Sequence, residues 1–420
     1  MSGSGEREKI YGLVGRALAH SYSVPLHRAL GDEAYRLIEL EPESLEEFFA
    51  DERLGGVNVT IPYKKDVMAL CGEISPEARA IGSVNTVVRG EDGVLRGYNT
   101  DIFGFRLMAE RTGADFTAGK TVILGTGGAA VMAKYAVESA GGRAVLISRS
   151  GEDNYGNLSR HVDAVNLVNA TPVGMYPGNG VSPVDLKSFP NCRCVLDLVY
   201  NPLRTALIGQ AERLGIACSS GLLMLAAQAL KAHELFFGKE MPEGTLEKIT
   251  APLRLESENI VIIGMPGSGK STVGAALAAI SGRTAVDTDE EIEKLAGKSI
   301  PQIFAEDGEE AFRELEREAI AEAGKLGGRI IMTGGGAVKS EKNYMPLHQN
   351  GRIYYLRRDI SKLAREGRPL SENADLAAME RERAPLYEDF CDVQIKNESS
   401  PEHAAEAIWK EFCDNASRGM

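Results

Sequence analysis

The residues Gly264-Met265-Pro266-Gly267-Ser268-Gly269-Lys270-Ser271 keep the spacing G-x-x-x-x-G-K-S, with Thr272 following. That spacing suits phosphate binding. Consecutive backbone N–H groups can curl around phosphate oxygens, a helix N-terminus adds a positive dipole end, Lys270 can reach the β- and γ-phosphates and Ser271 can ligate Mg²⁺. Asp287 and Asp289 lie two residues apart, at strand spacing on one face. One carboxylate can then serve the metal through water and the other an attacking hydroxyl, a division that phosphoryl transfer requires. Upstream, Gly125, Gly127, Gly128 and Ala129 lie in a G-x-G-x-x-A fingerprint for dinucleotides. Arg149 stands about 20 residues on, where an NAD enzyme would place an acid, and suits the 2′-phosphate of NADP. A third group comprises His20-Ser21-Tyr22-Ser23, Asn58 to Lys64 with Thr60, Asn85-Thr86 and Asn99-Thr100-Asp101. These hydroxyls, amides, one lysine and one aspartate could hold a small polyol acid and move a proton on it. Singly, Ser21 and Ser23 also read as helix caps, Lys64 as a solvated lysine, Asp101 as an N-cap and Arg149 as a surface charge.

The elements that must position these groups follow from apolar spacing. A strand at 260–263 and a helix at 272–279 frame the phosphate loop, so a unit begins near Asn259. Strands at 11–15, 37–40 and 57–61 alternate with helical stretches at 25–30 and 44–49, a βαβ rhythm that predicts a largely parallel sheet. The dinucleotide unit follows, with strands at 121–124, 144–147, 164–168 and 195–199. Its interval 150–162 carries Gly151, Asp153, Asn154 and Gly156, against a full helix. A helix at 226–237 stops at Gly238. The charged stretch 239–258, with Pro242, Gly244 and Pro252, reads as a flexible linker with a helical turn near Leu246 and a reach of about 25 Å.

Length and composition bound the rest. The chain has 420 residues, room for two or three cores, and its 60 acidic residues against 47 basic ones give a net charge of -13. This excludes a general nucleic-acid or anionic-membrane partner, so anionic ligands must be met by locally placed Arg and Lys. Six cysteines form no C-x-x-C pair, and with no apolar leader or spanning run the expectation is a cytoplasmic enzyme with reduced thiols.

With these residues in place, the first 240 residues resemble shikimate dehydrogenase. The resemblance rests on G-L-V-G-R-A-L-A-H-S-Y-S at Gly12, N-V-T-I-P-Y-K at Asn58, G-Y-N-T-D at Gly97, N-A-T-P-V-G-M at Asn169 and G-L-L-M-L-A-A-Q-A at Gly221. It implies that Ser21 and Ser23 hold a substrate carboxylate and that Thr60, Asn85, Asp101, Tyr200 and Gln228 line the ring. Lys64 and Asp101 would form the catalytic pair, with Gly221 and Met224 near the nicotinamide. The chain departs from the family at Val24 and Arg28, and it has Glu152 and Asp153 where a second basic residue usually follows the arginine.

Residues from Asn259 onward resemble shikimate kinase, through 297–316, Gly334-Gly335-Gly336, Arg368-Pro369-Leu370 and Arg383-Ala384-Pro385-Leu386-Tyr387. This resemblance implies that Asp289 orients and deprotonates a substrate hydroxyl, while Asp287 and Ser271 serve Mg²⁺. Arg313, Arg383 and the backbone at Gly335 and Gly336 would grip shikimate, and Lys270 and the lid Arg368 would neutralise the moving phosphoryl group. Gly264, Gly267, Ser268, Gly269, Ser271 and Thr272 would cradle ATP.

The expected fold class is α/β. A two-lobed dehydrogenase would comprise a substrate lobe (1–102 and 221–240) and a shortened Rossmann NADP lobe (103–220). A linker (241–258) and a P-loop kinase domain with a parallel sheet (259–420) would follow. The expected activity is reduction of 3-dehydroshikimate with NADPH, then phosphorylation of shikimate with ATP and Mg²⁺, with shikimate passing through solvent. A metabolite sensor would have lost Lys64, Asp289 or Lys270, and all three are present; activity on quinate is the other alternative for the first half.

Overall fold

The computed structural model describes residues 8–18, 22–363 and 376–417. Among them, six strands build the first sheet: β1 (Ile10–Gly15), β2 (Arg36–Glu39), β3 (Leu54–Val59), β4 (Glu73–Ile74), β5 (Thr86–Arg89) and β6 (Leu95–Tyr98). Their order is β2-β1-β3-β5-β6-β4. β1 runs parallel to β2 and β3, as the βαβ rhythm predicts. β5, however, is antiparallel to both β3 and β6, so the sheet is mixed. The short connection 90–94 turns at Gly93 (φ 78°) and makes β5 and β6 a hairpin, since a parallel return needs a dozen residues or more.

The second sheet is wholly parallel: β7 (Lys120–Leu124), β8 (Arg143–Ile147), β9 (Asn166–Asn169), β10 (Cys194–Asp197) and β11 (Ala217–Ser220), ordered β8-β7-β9-β10-β11. Strand order reverses between β7 and β9, which opens a crevice at their carboxyl ends. The β8-to-β9 connection carries 3-10 turns at Tyr155–His161 in place of an α-helix. Asn154 caps them in a reciprocal pair with Asn157. The helices Asp101–Thr112 and Leu222–Phe237 join the two lobes and share one apolar core. They cross so closely that a Cβ on Gly104 would lie 2.4 Å from the Met224 carbonyl oxygen.

The third sheet is also parallel: β12 (Asn259–Ile263), β13 (Ala285–Asp287), β14 (Ile330–Met332), β15 (Gly351–Arg357) and β16 (Val393–Lys396), ordered β13-β14-β12-β15-β16. The stretch leading into it is not a flexible tether. Residues Thr245–Ser257 form a 13-residue helix. Leu246, Ile249 and Leu253, at helical spacing, are buried in the core of the preceding unit, and Leu255 packs on the core of the following one.

Further contacts fix how the units meet. The Arg204 amide donates to the Gln349 carbonyl (2.8 Å) and the Leu203 amide to Asn350 Oδ1 (2.9 Å). The Asn179 side chain donates to Gln349 Oε1 (2.9 Å), and Gly209 leaves room for Met345. All of these reach the kinase-like sheet at its amino-terminal edge, where Asn350 precedes β15 and Asn259 opens β12.

One buried carboxyl in the second sheet carries a pH dependence. Asp197, at the end of β10, is fully buried and accepts from Thr205 Oγ1 (2.6 Å), Asn169 Nδ2 (2.9 Å) and the Val199 amide (3.1 Å). Burial pushes its pKa up to about 6 against the pull of these donors. The folded form thus binds the proton more tightly. This contribution to stability is full below the unfolded pKa of ~4 and is lost as pH rises through about 6, a change of about 3 kcal/mol. Urea unfolding should show that decline between about pH 4 and pH 7. Asp197→Asn, which imitates the protonated acid, should flatten it; equal slopes in variant and wild type would mean that Asp197 is ionised throughout.

Candidate active sites

At the carboxyl end of β3 the chain enters a turn that carries Lys64, whose own carbonyl accepts from the Val84 amide (2.8 Å). Asp101 is the first residue of its helix, with Thr100 as N-cap. Lys64 Nζ donates to Asp101 Oδ2 at 2.6 Å, both side chains being partly exposed. Asn85 is buried beside them and its Oδ1 accepts from the Thr100 amide (2.6 Å), Thr100 Oγ1 (3.2 Å) and Thr86 Oγ1 (3.1 Å). Thr100 Oγ1 also reaches Gln228 Oε1 (3.4 Å), so a residue 128 positions away joins the same network.

Thr60 follows β3, its amide bonded to the Val14 carbonyl. Ser23 is buried in the first turn of the helix Ser23–Ala29 and hydrogen-bonds Tyr35; it is not a cap, since Tyr22 holds that position. Tyr200 stands edge-on to Tyr22 (5.7 Å between centroids), and burial raises its pKa. Ser21 lies outside the described residues. Sequence reasoning passed over Tyr35, whose hydroxyl donates to Asn58 Oδ1 (2.8 Å); its position before β2 gave no signal.

In the second sheet, Gly125 follows β7, and Gly127 caps the helix Gly128–Ser139. Nothing lies within 4 Å of where a Cβ on Gly127 or Gly128 would stand, and Ala129 is exposed beside them, which leaves an open backbone cradle. Arg149 is exposed just beyond β8. Gly221 caps the helix that bears Met224 and Gln228, and its α-carbon comes so close to the Leu198 carbonyl that no side chain fits.

The kinase-like site is built at the carboxyl edge of the third sheet. Gly267 and Gly269 take φ of 80° and 95°, a left-handed backbone that side chains disfavour, and Gly269 caps the helix Lys270–Ser281 that contains Thr272. Lys270 Nζ donates to the carbonyls of Gly264 (2.8 Å) and Met265 (3.1 Å). Ser268 is fully buried, and its hydroxyl has no hydrogen-bond partner among the described residues. Ser271 Oγ donates to Asp287 Oδ2 (2.8 Å), and Asp287 Oδ1 caps the next helix through the Asp289 amide (3.0 Å).

Asp289 is drawn against the glycine triplet. A Cβ on Gly334 would meet its carboxylate at 2.5 Å, one on Gly336 would meet Arg313 at 2.7 Å, and one on Gly335 would strike Pro266 of the phosphate loop. The carboxylate, the arginine and the loop therefore converge on one strand end. Arg313 Nη1 pairs with Glu316 (2.9 Å) and Nη2 with Glu309 (3.2 Å). Glu316 is 1% exposed, and burial raises its pKa against the pull of Arg313. Arg383 Nη1 (3.0 Å) and the Tyr387 hydroxyl (2.6 Å) both donate to the Gly335 carbonyl, fixing the triplet. Arg368 lies outside the described residues. Asn397, which donates to the Ser268 carbonyl (2.8 Å), and Arg358, which borders Gly269, were not anticipated; only the placement of two strand ends beside the loop reveals them.

Comparisons with known proteins agree with this division. Residues 13–87 match the model of the shikimate dehydrogenase substrate binding domain, and residues 266–413 match that of shikimate kinase. A shikimate dehydrogenase (NADP(+)) of Clostridium perfringens is 36% identical over 268 residues, 59% of this chain and 98% of that protein. Among solved structures, a chorismate mutase/shikimate 5-dehydrogenase fusion protein from Clostridium acetobutylicum aligns with a TM-score of 0.56 at 34% identity, covering 59% of this chain and 97% of its own. The Thermus thermophilus shikimate 5-dehydrogenase in complex with NADP(H) and shikimate gives 0.51 at 32%, covering 57% and 98%. No helix among the described residues is long and apolar enough to cross a membrane. The chain belongs to the shikimate dehydrogenase family through its N-terminal part and carries a shikimate kinase domain in its C-terminal part.

Proposed function

We propose that this bifunctional enzyme reduces 3-dehydroshikimate to shikimate with NADPH and phosphorylates shikimate to shikimate 3-phosphate with ATP. The observation that supports the reading is that one chain brings together Lys64 on Asp101 at 2.6 Å and Asp289 against Gly334 beside the phosphate loop. We assign 1–102 and 221–240 to the substrate lobe, 103–220 to the nucleotide lobe and 259–420 to the kinase, with 241–258 as a docked connector.

In the dehydrogenase, NADPH bound across the Gly125–Ala129 turn supplies the hydride. The open cradle at Gly127 and Gly128 fits its pyrophosphate, and Arg149 its 2′-phosphate. Lys64, paired with Asp101, hydrogen-bonds the ring ketone and gives its proton to the oxygen as negative charge develops there. Asn85, immobilised by Thr100 and Thr86, presents its amide NH₂ to a ring hydroxyl. Ser21, Ser23, Thr60, Tyr200 and Gln228 complete the substrate walls, with Gly221 and Met224 on the nicotinamide side.

In the kinase, ATP supplies the phosphoryl group. The partnerless Ser268 hydroxyl and the Gly264–Thr272 loop fit its phosphates, and the Ser271–Asp287 oxygen pair fits Mg²⁺. Asp289 orients the ring hydroxyl and takes its proton. Arg313, aimed by Glu316, pairs with the substrate carboxylate together with Arg383 and the glycine triplet. Lys270 and Arg368 offset charge on the phosphoryl group.

The active sites should be separable. Lys64→Ala should lower reduction by about 10²- to 10⁴-fold and leave phosphorylation of added shikimate nearly intact, and Asp289→Asn should do the converse. Loss of both activities in either folded variant contradicts the assignment. Arg149, exposed and near Glu152 and Asp153, should give a modest preference for NADPH over NADH, toward the low end of roughly 10- to 150-fold. An unchanged kcat/KM ratio in Arg149→Ala would mean that another group reads the phosphate.

Shikimate should pass between sites through solvent. The dehydrogenase docks on the amino-terminal edge of the kinase sheet, while Asp289 and the phosphate loop lie at the carboxyl edge, about 16 Å away along β12. In the coupled reaction, labelled external shikimate should dilute fully into the phosphorylated product; exclusion of the label would establish direct transfer.

A further inference from the structure

Away from both active sites, three potential metal ligands meet inside the substrate lobe. His27 comes from the helix Ser23–Ala29, Asp32 from the turn after it and His233 from the helix Leu222–Phe237. One donor atom from each lies within 4.8 Å of the other two. The residues are 0%, 6% and 8% exposed, the His27 ring lies against the Asn58 side chain, and Nδ1 of His233 and Oδ2 of Asp32 have no hydrogen-bond partner among the described residues. Buried polar atoms without a partner are costly, since each forfeits its hydration without replacement. Groups that only filled space would be served as well by apolar side chains.

The surroundings hold the donors in place. The His27 ring stacks on Tyr35 (3.8 Å between centroids, 2° between planes) and lies 5.7 Å from Phe236, while His233 packs on Phe237 at 4.6 Å. The amides of Ala34 and Tyr35 approach the Asp32 carboxylate and set its direction. Burial lowers the pKa of both imidazoles, His27 to about 3. The neighbours of Asp32, Gly31 and Glu33, are exposed, which gives an entry path from the surface.

We propose that His27, Asp32 and His233 form a structural site for a divalent transition metal of the Zn²⁺ class. Two imidazoles and a carboxylate are a borderline-soft donor set that suits Zn²⁺ or Co²⁺ and disfavours Mg²⁺ and Ca²⁺. Tetrahedral ligation at about 2.1 Å asks each donor to move inward by ~0.8 Å, and water can fill the fourth position. The ion would staple the helix that starts at Ser23 to the helix that carries Met224 and Gln228. It would thus brace two walls of the substrate crevice without touching the substrate.

The test uses the full-length chain, stripped with chelator and titrated without ATP, first with Co²⁺ and then with Zn²⁺. We expect one equivalent bound with Kd below ~10 µM, a visible cobalt band without thiolate charge transfer, and a rise in the unfolding midpoint with Zn²⁺. His233→Gln and Asp32→Asn should weaken binding at least ~100-fold, and Asp287→Asn, at the kinase's own cation site, should leave it unchanged. Absence of binding to the wild-type chain at ~100 µM metal, a thiolate band pointing to cysteine ligands, or wild-type affinity in both the His233 and Asp32 variants would each overturn the proposal. The wild-type titration and spectrum decide even if a variant does not fold.

Discussion

The arrangement of the two enzymes depends on one buried carboxylate. Glu258, at the end of the connecting helix and 1% exposed, sits 3.7 Å from Arg204 of the dehydrogenase and 3.8 Å from Arg254 of the connector. A lone carboxylate there would be untenable, and the two guanidiniums together make it tolerable. Arg204 also donates to the carbonyls of His348 (3.2 Å) and Gly351 (3.4 Å), so the residue that neutralises Glu258 also grips the kinase sheet. Connector, first enzyme and second enzyme thus meet at a single point, where docking adds Arg204 to the Arg254 partner that the connector itself supplies.

How much of this was legible in the sequence depends on whether a feature is local. The phosphate loop, the G-x-G-x-x-A turn and the stretch Asn58 to Lys64 carry their chemistry within a few residues, and each stands where its motif required. Most strands could be read too, because a run such as Ile260–Ile263 leaves little choice. Pairing direction could not: β5 is antiparallel to β3 and, through a short hairpin, to β6, while the surrounding βαβ rhythm argued for parallel neighbours.

The connector was misread because its punctuation and its burial disagree. Pro242, Gly244 and Pro252 argue for a loop, and a proline inside a helix costs about 3 kcal/mol. Burial of Leu246, Ile249 and Leu253 returns about 1.5–3 kcal/mol each, which outweighs the proline. The spacing of those three residues was the available signal, and it was overridden by composition. Asn397 had no comparable signal: it acts on Ser268 only because distant strand ends meet at one edge of the sheet.

A protein with net charge -13 that handles anions must keep its cations in place against its own acidic background. In both candidate sites a carboxylate pairs with the cation proposed to meet the substrate, Asp101 with Lys64 and Glu316 with Arg313. Such pairing weakens the local positive potential, so it adds little to capture of the ligand from solution. What it supplies is direction. A long flexible lysine or arginine loses side-chain entropy of up to ~2 kcal/mol when fixed, and the carboxylate offsets that loss before the substrate arrives. The degree of burial sets how firmly each is held. Glu316, almost wholly inside, cannot release Arg313 without standing unpaired, whereas Asp101 is partly exposed and can be solvated. The guanidinium proposed only to bind is therefore held firmly, and the ammonium proposed to give up and regain a proton keeps access to water.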